Sequence, residues 1–369
     1  MPIGDKETSG SAIFDSYSSG VKTSRDAWCY NFSGKAVAAN IGRLIQEYER
    51  QRRSFAKEDI PDKAATRLAA AEAFIDRDSK KIAWSRGLIT DLSRNSVREY
   101  RTAALRPAQY RPFCKQFAYF DRHLNDMVYR LTSLFPTAEH ANVAICTTAA
   151  GGREDFSTLI AAQLTDVAYS ARNGNCQCFP LYLYEPLAEE SDDKPLIDTA
   201  AEGEIIDGYR RRSAITDAIL KRFQAAYGPK VTKEDIFYYV YGVLHSPEYR
   251  TRFAADLKKM LPRIPLTKEA ADFRAFTKAG RDLAEWHLNY ETIDPYPLKE
   301  HSDELVLNPD KHFIVQKMTF GRSEKQIDKS TIVYNSHVTL RGIPAEAYEY
   351  VVNGKPAIEW IMERYQVTR

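Results

Sequence analysis

Apolar positions along this chain change their period several times, and each change marks an element. Over residues 35–53, Val37, Ile41, Leu44, Ile45 and Tyr48 recur at helical spacing with Arg and Glu on the opposite face, which predicts an amphipathic helix. A second helical pattern runs through the Ala-rich residues 62–75, set apart from the first by Pro61. The runs AWCYNF (27–32), KKIAWS (80–85), ANVAICTT (141–148) and CQCFPLYLYE (176–185) are short, apolar and rich in aromatic or β-branched residues, and read as strands. Between them, HLNDMVYRLTSLFP reads as a helix ending at Pro136.

The pattern changes character past the acidic run LAEESDDKPLIDTAAEGE (187–204), which reads as a linker. Residues 209–228 predict an amphipathic helix, and the next begins with a cap-like Thr232 followed by Glu234 and Asp235 in its first turn. Further helices are expected in SPEYRTRFAADLKKM, stopped by LPRIPL, and in DFRAFTKAGRDLAEWHLNYET. Beyond Pro297, FIVQKMTF, STIVYN and HVTLRGI alternate as strands, Asn353-Gly354 signals a tight turn, and Ile358, Trp360, Ile361 and Tyr365 mark a closing helix. The expected fold class is therefore mixed α+β. It comprises a disordered leader (1–12), an α/β lobe (13–190), a linker (191–204), a helical lobe (205–297) and a small α+β cap (298–369).

Composition narrows the function classes more than the fold. The 369 residues are 44% hydrophobic and 28% charged, as expected of a globular chain with room for more than one core. The formal charge is only +2, so any site for a polyanion must be a local patch rather than a global field. Five cysteines with one C-x-C and no C-x-x-C give neither a disulfide framework nor a zinc ligand set, and fit free thiols in a reducing cytoplasm. No apolar run reaches membrane-spanning length, so no membrane partner is expected.

The densest local feature is LRPAQYRPFCKQFAYFD (105–121). Arg106, Arg111 and Lys115 alternate there with Tyr110, Phe113, Phe117, Tyr119 and Phe120, and Pro107 and Pro112 make the YRPF core a rigid bend. Cations interleaved with aromatics suit phosphates and base faces, and equally suit an aromatic core corner with arginines on its wet rim. With Arg86, Arg94, Arg98 and Arg101 upstream, this is the strongest positive density in the chain. Lys22, Thr23, Ser24 and Arg25 form a polar loop whose hydroxyls and cations fit phosphate or base-edge hydrogen bonds; ordinary caps and turns use the same residue types. Gly151-Gly152-Arg153 reads as a turn able to approach a phosphate, without the context of a dinucleotide site.

Catalytic motifs are largely missing. There is no Walker-type nucleotide loop and no Asn/Asp-Pro-Pro-aromatic tetrapeptide of the amino-methyltransferases. Pro61-Asp62 with Asp78-Ser79-Lys80 matches a loose nuclease pattern, but its first acid falls at a helix start. His245 and His287 lie on aromatic helices and read as core or interface residues before acid/base catalysts.

Seven ordered motifs carry a resemblance: SSGVKTSRDAWCYNFS, YRPFCKQFAYFD, CFPLYLYE, YVYGVLHSPEYR, LPRIPL, AGRDLAEWHL and IPAEAYEYVVNGKPAIEWIMERYQV. Together they resemble the C-terminal region of type ISP restriction-modification enzymes, single chains joining a nuclease, a translocase, an adenine-N6 methyltransferase and a target-recognition domain. The resemblance covers about residues 14–367 and implies a DNA-recognition domain, non-catalytic on its own, with a methyltransferase partner in cis or in trans. It implies that S-adenosylmethionine, ATP and Mg²⁺ belong to the other domains and that this chain carries no cofactor. The candidate contacts to double-stranded DNA are Lys22, Thr23, Ser24, Arg25, Tyr110, Arg111 and Arg153. The rival expectations are a catalytic fragment and a protein-docking module.

Overall fold

The computed structural model describes residues 1–4, 11–60, 62–152, 154–171, 174–187, 203–302 and 309–366. It is a mixed α+β fold of several small sheets and helices. The YRPF bend is the tip of a β-hairpin: strand Leu105–Arg111 returns as Cys114–Tyr119, with Arg111 opposite Cys114. Pro112 pre-sets the first turn position and Phe113 takes the second at φ 55°. That conformation costs a bulky residue energy, which burial offsets: the Phe113 ring is 8% exposed and lies edge-on to His287, Tyr290 and Tyr350. Tyr30–Asn31 pairs with the second hairpin strand, and Leu164–Thr165 runs parallel to the first.

The helix Gly34–Phe55 covers this hairpin sheet. It starts where Ser33 accepts the Ala36 N–H, and it buries Val37, Ile41, Leu44, Ile45 and Tyr48, the stripe its periodicity predicts. A second, antiparallel sheet orders Ser18–Ser19, Cys176–Pro180, Ala144–Thr148 and Thr158–Ala161. Every residue of Ala144–Thr148 is buried, so this sheet is covered on both faces. All five cysteines are buried free thiols.

Most of the expected linker, residues 188–202, lies outside the described residues. On either side of it, Tyr182–Pro186 pairs with Tyr209–Ser213, and Glu204–Ile206 adds a third strand. Further along the chain, the helix Lys233–His245 begins with a full capping box between Thr232 and Asp235. It crosses Ala270–Leu288 at two glycines: a Cβ on Gly280 would stand 1.9 Å from the Tyr238 carbonyl oxygen, and one on Gly242 2.3 Å from that of Phe276. Only glycine lets the two backbones touch. The cap is a four-stranded antiparallel sheet around a small core of Ile332, Ile343 and Met362, and the Asn353-Gly354 turn (φ 51° and 72°) closes a hairpin against the main body. Asn353 N–H donates to Ser157 Oγ at 2.5 Å there.

Several expectations are corrected. Residues 80–85 form the end of a turn and an irregular stretch rather than a strand, with Lys81 and Ile82 N–H both bonded to the Asp78 carbonyl. AWCYNF is split between the helical turn Asp26–Cys29 and the strand Tyr30–Asn31. Of the helix expected before Pro136, only the turn Leu131–Leu134 forms, and Tyr209–Ser213 is a strand because its neighbour supplies a ladder that outweighs helical periodicity. Met1–Gly4 are not a frayed leader: Ile3 is fully buried, and its N–H donates to the Pro262 carbonyl at 2.9 Å. Residues 5–10 lie outside the described residues.

Candidate nucleic-acid interface

The two sequence clusters, 22–25 and the hairpin tip, meet at Asp26. Thr23 Oγ1 donates to Asp26 Oδ1 in a very short bond, while Asp26 Oδ2 accepts Tyr110 Oη at 3.0 Å and Arg111 Nη2 at 3.3 Å. Arg111 also gives Nη1 to Asp166 Oδ1 at 2.5 Å, and its guanidinium carbon sits 3.9 Å from the centre of the Tyr110 ring. Its side chain is 15% exposed and that of Asp166 only 2%. Burial raises the Asp166 carboxyl to about 6, against the downward pull of Arg111. The Tyr110 ring packs against that of Tyr30, 4.6 Å between centres and tilted by 40°. Tyr110 and Arg111 therefore stand in a paired, largely internal network that fastens the hairpin tip to the Asp26–Cys29 turn and to the 164–166 segment.

The loop itself is pinned from below by close backbone contact. A Cβ on Gly20 would lie 2.3 Å from the Asp166 carbonyl oxygen, and Val21 exchanges backbone bonds with Thr165 and Val167. Lys22 and Met127 then exchange a reciprocal pair of backbone bonds, at 2.9 and 3.0 Å, which joins the loop to residues 122–130. On the outer rim, Lys22 Nζ and Ser24 Oγ both reach Asp126 Oδ2 at 3.1 Å, with Ser24 at φ 54°. Thr23, 2% exposed, is spent inside, where Oγ1 also accepts the Arg25 N–H at 3.1 Å. Arg25 is 4% exposed, and among the described residues none of its three guanidinium nitrogens has a hydrogen-bond partner. Arg153 lies outside the described residues.

Residues that the sequence reading missed complete the rim. Met127 and Tyr129 are 46% and 39% exposed, and Arg130 fixes the two loops together through Nη1 to Ser16 Oγ at 3.0 Å and its own N–H to Ser18 Oγ at 3.1 Å. Their segment contains Asn125-Asp126, a turn signal that the helical reading passed over. The resulting face offers exposed cations, a hydroxyl, a thioether and a phenol, the mixture a polyanion with flat edges requires.

The upstream arginines contribute less than their number suggests. Arg106 is 5% exposed and gives its Nη atoms to the carbonyls of Phe135, Pro136 and Thr137; Arg98 pairs with Asp91 at 2.6 Å and Arg101 with Asp121. Arg86 and Arg94 are exposed. Asp78 lies in a turn, where it accepts the Lys80 N–H at 3.0 Å, and no described group of three or more His, Cys, Asp or Glu converges on a metal-sized site. His245 and His287 do meet, 5.4 Å between ring centres, with Tyr241 Oη 2.6 Å from His287 Nδ1. Burial drives their pKa values down to about 3 and about 4, so both stand neutral in a hub that joins the hairpin turn, two helices and Tyr350.

The sequence pattern of the type ISP C-terminal specificity domain matches residues 12–369. Among solved structures, the chain is similar to a nuclease-deletion mutant of the type ISP restriction-modification enzyme LlaGI in complex with a DNA substrate mimic, at 32% identity and a TM-score of 0.78. It is similar to the ATP-dependent type ISP enzyme LlaBIII bound to DNA, at 31% and 0.79, and to DrdV in a DNA complex, at 28% and 0.79. These likenesses cover 100%, 100% and 98% of this chain but 30%, 21% and 33% of those proteins, so the chain spans a third of their length or less. No curated protein sequence matches it. A likeness that covers the whole chain, at this identity and with this fold, places the protein in a family: it belongs to the type ISP C-terminal specificity domains.

Proposed function

We propose that this chain recognises a DNA sequence for a type ISP restriction-modification system and directs an adenine-N6 methyltransferase supplied by the same parent chain or by another subunit. The observation that carries the reading is the likeness over the full chain to the specificity part of enzymes seen bound to DNA. The rim of Lys22, Ser24, Met127, Tyr129 and Arg130 is the face we assign to the duplex, with Tyr110 and Arg111 as the frame that holds it. Phosphates would meet Lys22 and Arg130, which position the protein, and base edges would meet the loop side chains that reach into a groove. S-adenosylmethionine, ATP and Mg²⁺ are assigned to the other parts of the system, and this chain to the cytoplasm. Among the described residues no helix is long and apolar enough to cross a membrane.

The test is selection of duplexes from a randomised library by the 369-residue chain, followed by titration of the enriched sequence. Enrichment of one asymmetric motif is expected. Absence of any enriched motif, with no binding to any duplex at low salt, would overturn the reading. Incubation of duplex with the chain and Mg²⁺, or with S-adenosylmethionine, is expected to leave the DNA uncut and unmethylated; turnover abolished by Asp78→Ala would favour a nuclease instead.

A further inference from the structure

Arg25 stands apart from the buried arginines of the neighbouring hairpin. Arg106 and Arg111 give their Nη atoms to carbonyls and carboxylates, whereas Arg25, 4% exposed, has no partner at Nε, Nη1 or Nη2 among the described residues. A buried guanidinium without acceptors is unfavourable and persists only where another requirement holds it. The groups that act on it electrostatically are Cys29 and Asp126. The Cys29 thiol is pushed up to about 12 by burial and so stays neutral, and the Asp126 Oδ2 atom is already taken by Lys22 and Ser24. The backbone at Arg25 is fixed, since its carbonyl accepts the N–H groups of Trp28 and Cys29, leaving the side chain as the part free to move.

Resting on the reading of this face as the DNA interface, we infer that Arg25 is a DNA contact held in reserve. Lys22 and Ser24 clasp Asp126 across the mouth of the loop; a duplex draws both toward its phosphates, the clasp opens, and the Arg25 guanidinium turns out to a paired acceptor. Two acceptors have the required spacing, the oxygens of one phosphate and the O6 and N7 atoms of guanine. The free protein thus keeps this cation hidden until a duplex opens the clasp.

The experiment uses the 369-residue chain as wild type, Arg25→Met and Arg25→Lys, with thermal midpoints measured without DNA and titration of both the enriched duplex and a random duplex over a salt series. Arg25→Met is expected to melt at or above the wild-type temperature, because an uncompensated buried charge is gone, and to bind the enriched duplex roughly tenfold or more weakly. Arg25→Lys keeps the charge without the fork and is expected to recover only part of the loss. Equal losses on both duplexes, with the salt slope reduced by about one, identify phosphate as the acceptor. A loss confined to the enriched duplex identifies guanine. Unchanged affinity in Arg25→Met, or a fall of its melting temperature or failure of both variants to fold, overturns the inference and makes Arg25 a structural residue. Wild-type protein that binds no duplex removes the DNA reading itself, a result visible before any variant is made.

Discussion

Arg111 shows how a single side chain is committed by its neighbours. Its guanidinium joins Asp166 and Asp26 and lies on the Tyr110 ring, so truncation would leave two carboxylates facing a cavity. Arg111→Ala is expected to cost about 3–5 kcal/mol of stability in denaturant melts, the range for breaking a buried pair. Asp166→Asn in the same background should recover part of it. The neutral histidines give a pH dependence of definite sign. His245 and His287 titrate near 3 and 4 in the folded chain and near 6.5 when unfolded, so their contribution is present above 6.5 and is lost as the pH falls toward 4. Asp166, raised to about 6, acts the other way, losing stability as the pH rises through 6. Two large downward shifts outweigh one smaller upward shift. Stability is therefore expected to fall from pH 6.5 to 4, with a shallower slope in His245→Gln, as read by urea midpoints across the range.

Elements hold their relations through a few close approaches. The helices Lys233–His245 and Ala270–Leu288 touch backbone to backbone at Gly242 and Gly280, where a single added methyl has nowhere to go. Gly280→Ala should raise intrinsic helix propensity and yet destabilise the chain by about 1–3 kcal/mol or more, since overpacking at a rigid contact outweighs the propensity gain. A thermal midpoint above that of the wild type would refute the crossing. The hairpin tip is held in the same manner from the side: Phe113 keeps a left-handed backbone because its ring packs beside His287 and Tyr350. The two helices, Tyr350 and the hairpin thus meet at one aromatic hub, and packing there offsets strain at the turn.

At the scale of the whole molecule the charge is nearly balanced, and most arginines near the hairpin are paired internally. Association with duplex should therefore depend on salt only modestly. Between 50 and 200 mM salt the affinity for random duplex is expected to fall by less than the roughly 10³–10⁵ associated with six to ten phosphate contacts. A titration series at four salt concentrations measures that slope. Loss of binding at the steep end of the range would point to more phosphate contacts than Lys22 and Arg130 of the rim supply.

Local chemistry was legible wherever one segment decides its own structure. The stripe Val37, Ile41, Leu44, Ile45 and Tyr48 predicts its helix because periodicity alone selects the buried face. Thr232 with Asp235 predicts a helix start, and Asn353-Gly354 a tight turn, because caps and left-handed turns are satisfied within four residues. The seven motifs likewise sufficed for the family. The sequence could not show which cations are free, since Arg106, Arg111 and Arg25 are alike in sequence and differ only in what lies opposite them. It misread residues 123–136 and 209–213 because distant segments override the local pattern there, Lys22 and Ser18 in the first and the strand Tyr182–Pro186 in the second, and it misread 80–85 because bonds to Asp76 and Asp78 close a turn. The meeting of loop 22–25 with the hairpin at Asp26 spans 84 and 85 residues in the chain, and only folding brings those groups within hydrogen-bonding reach.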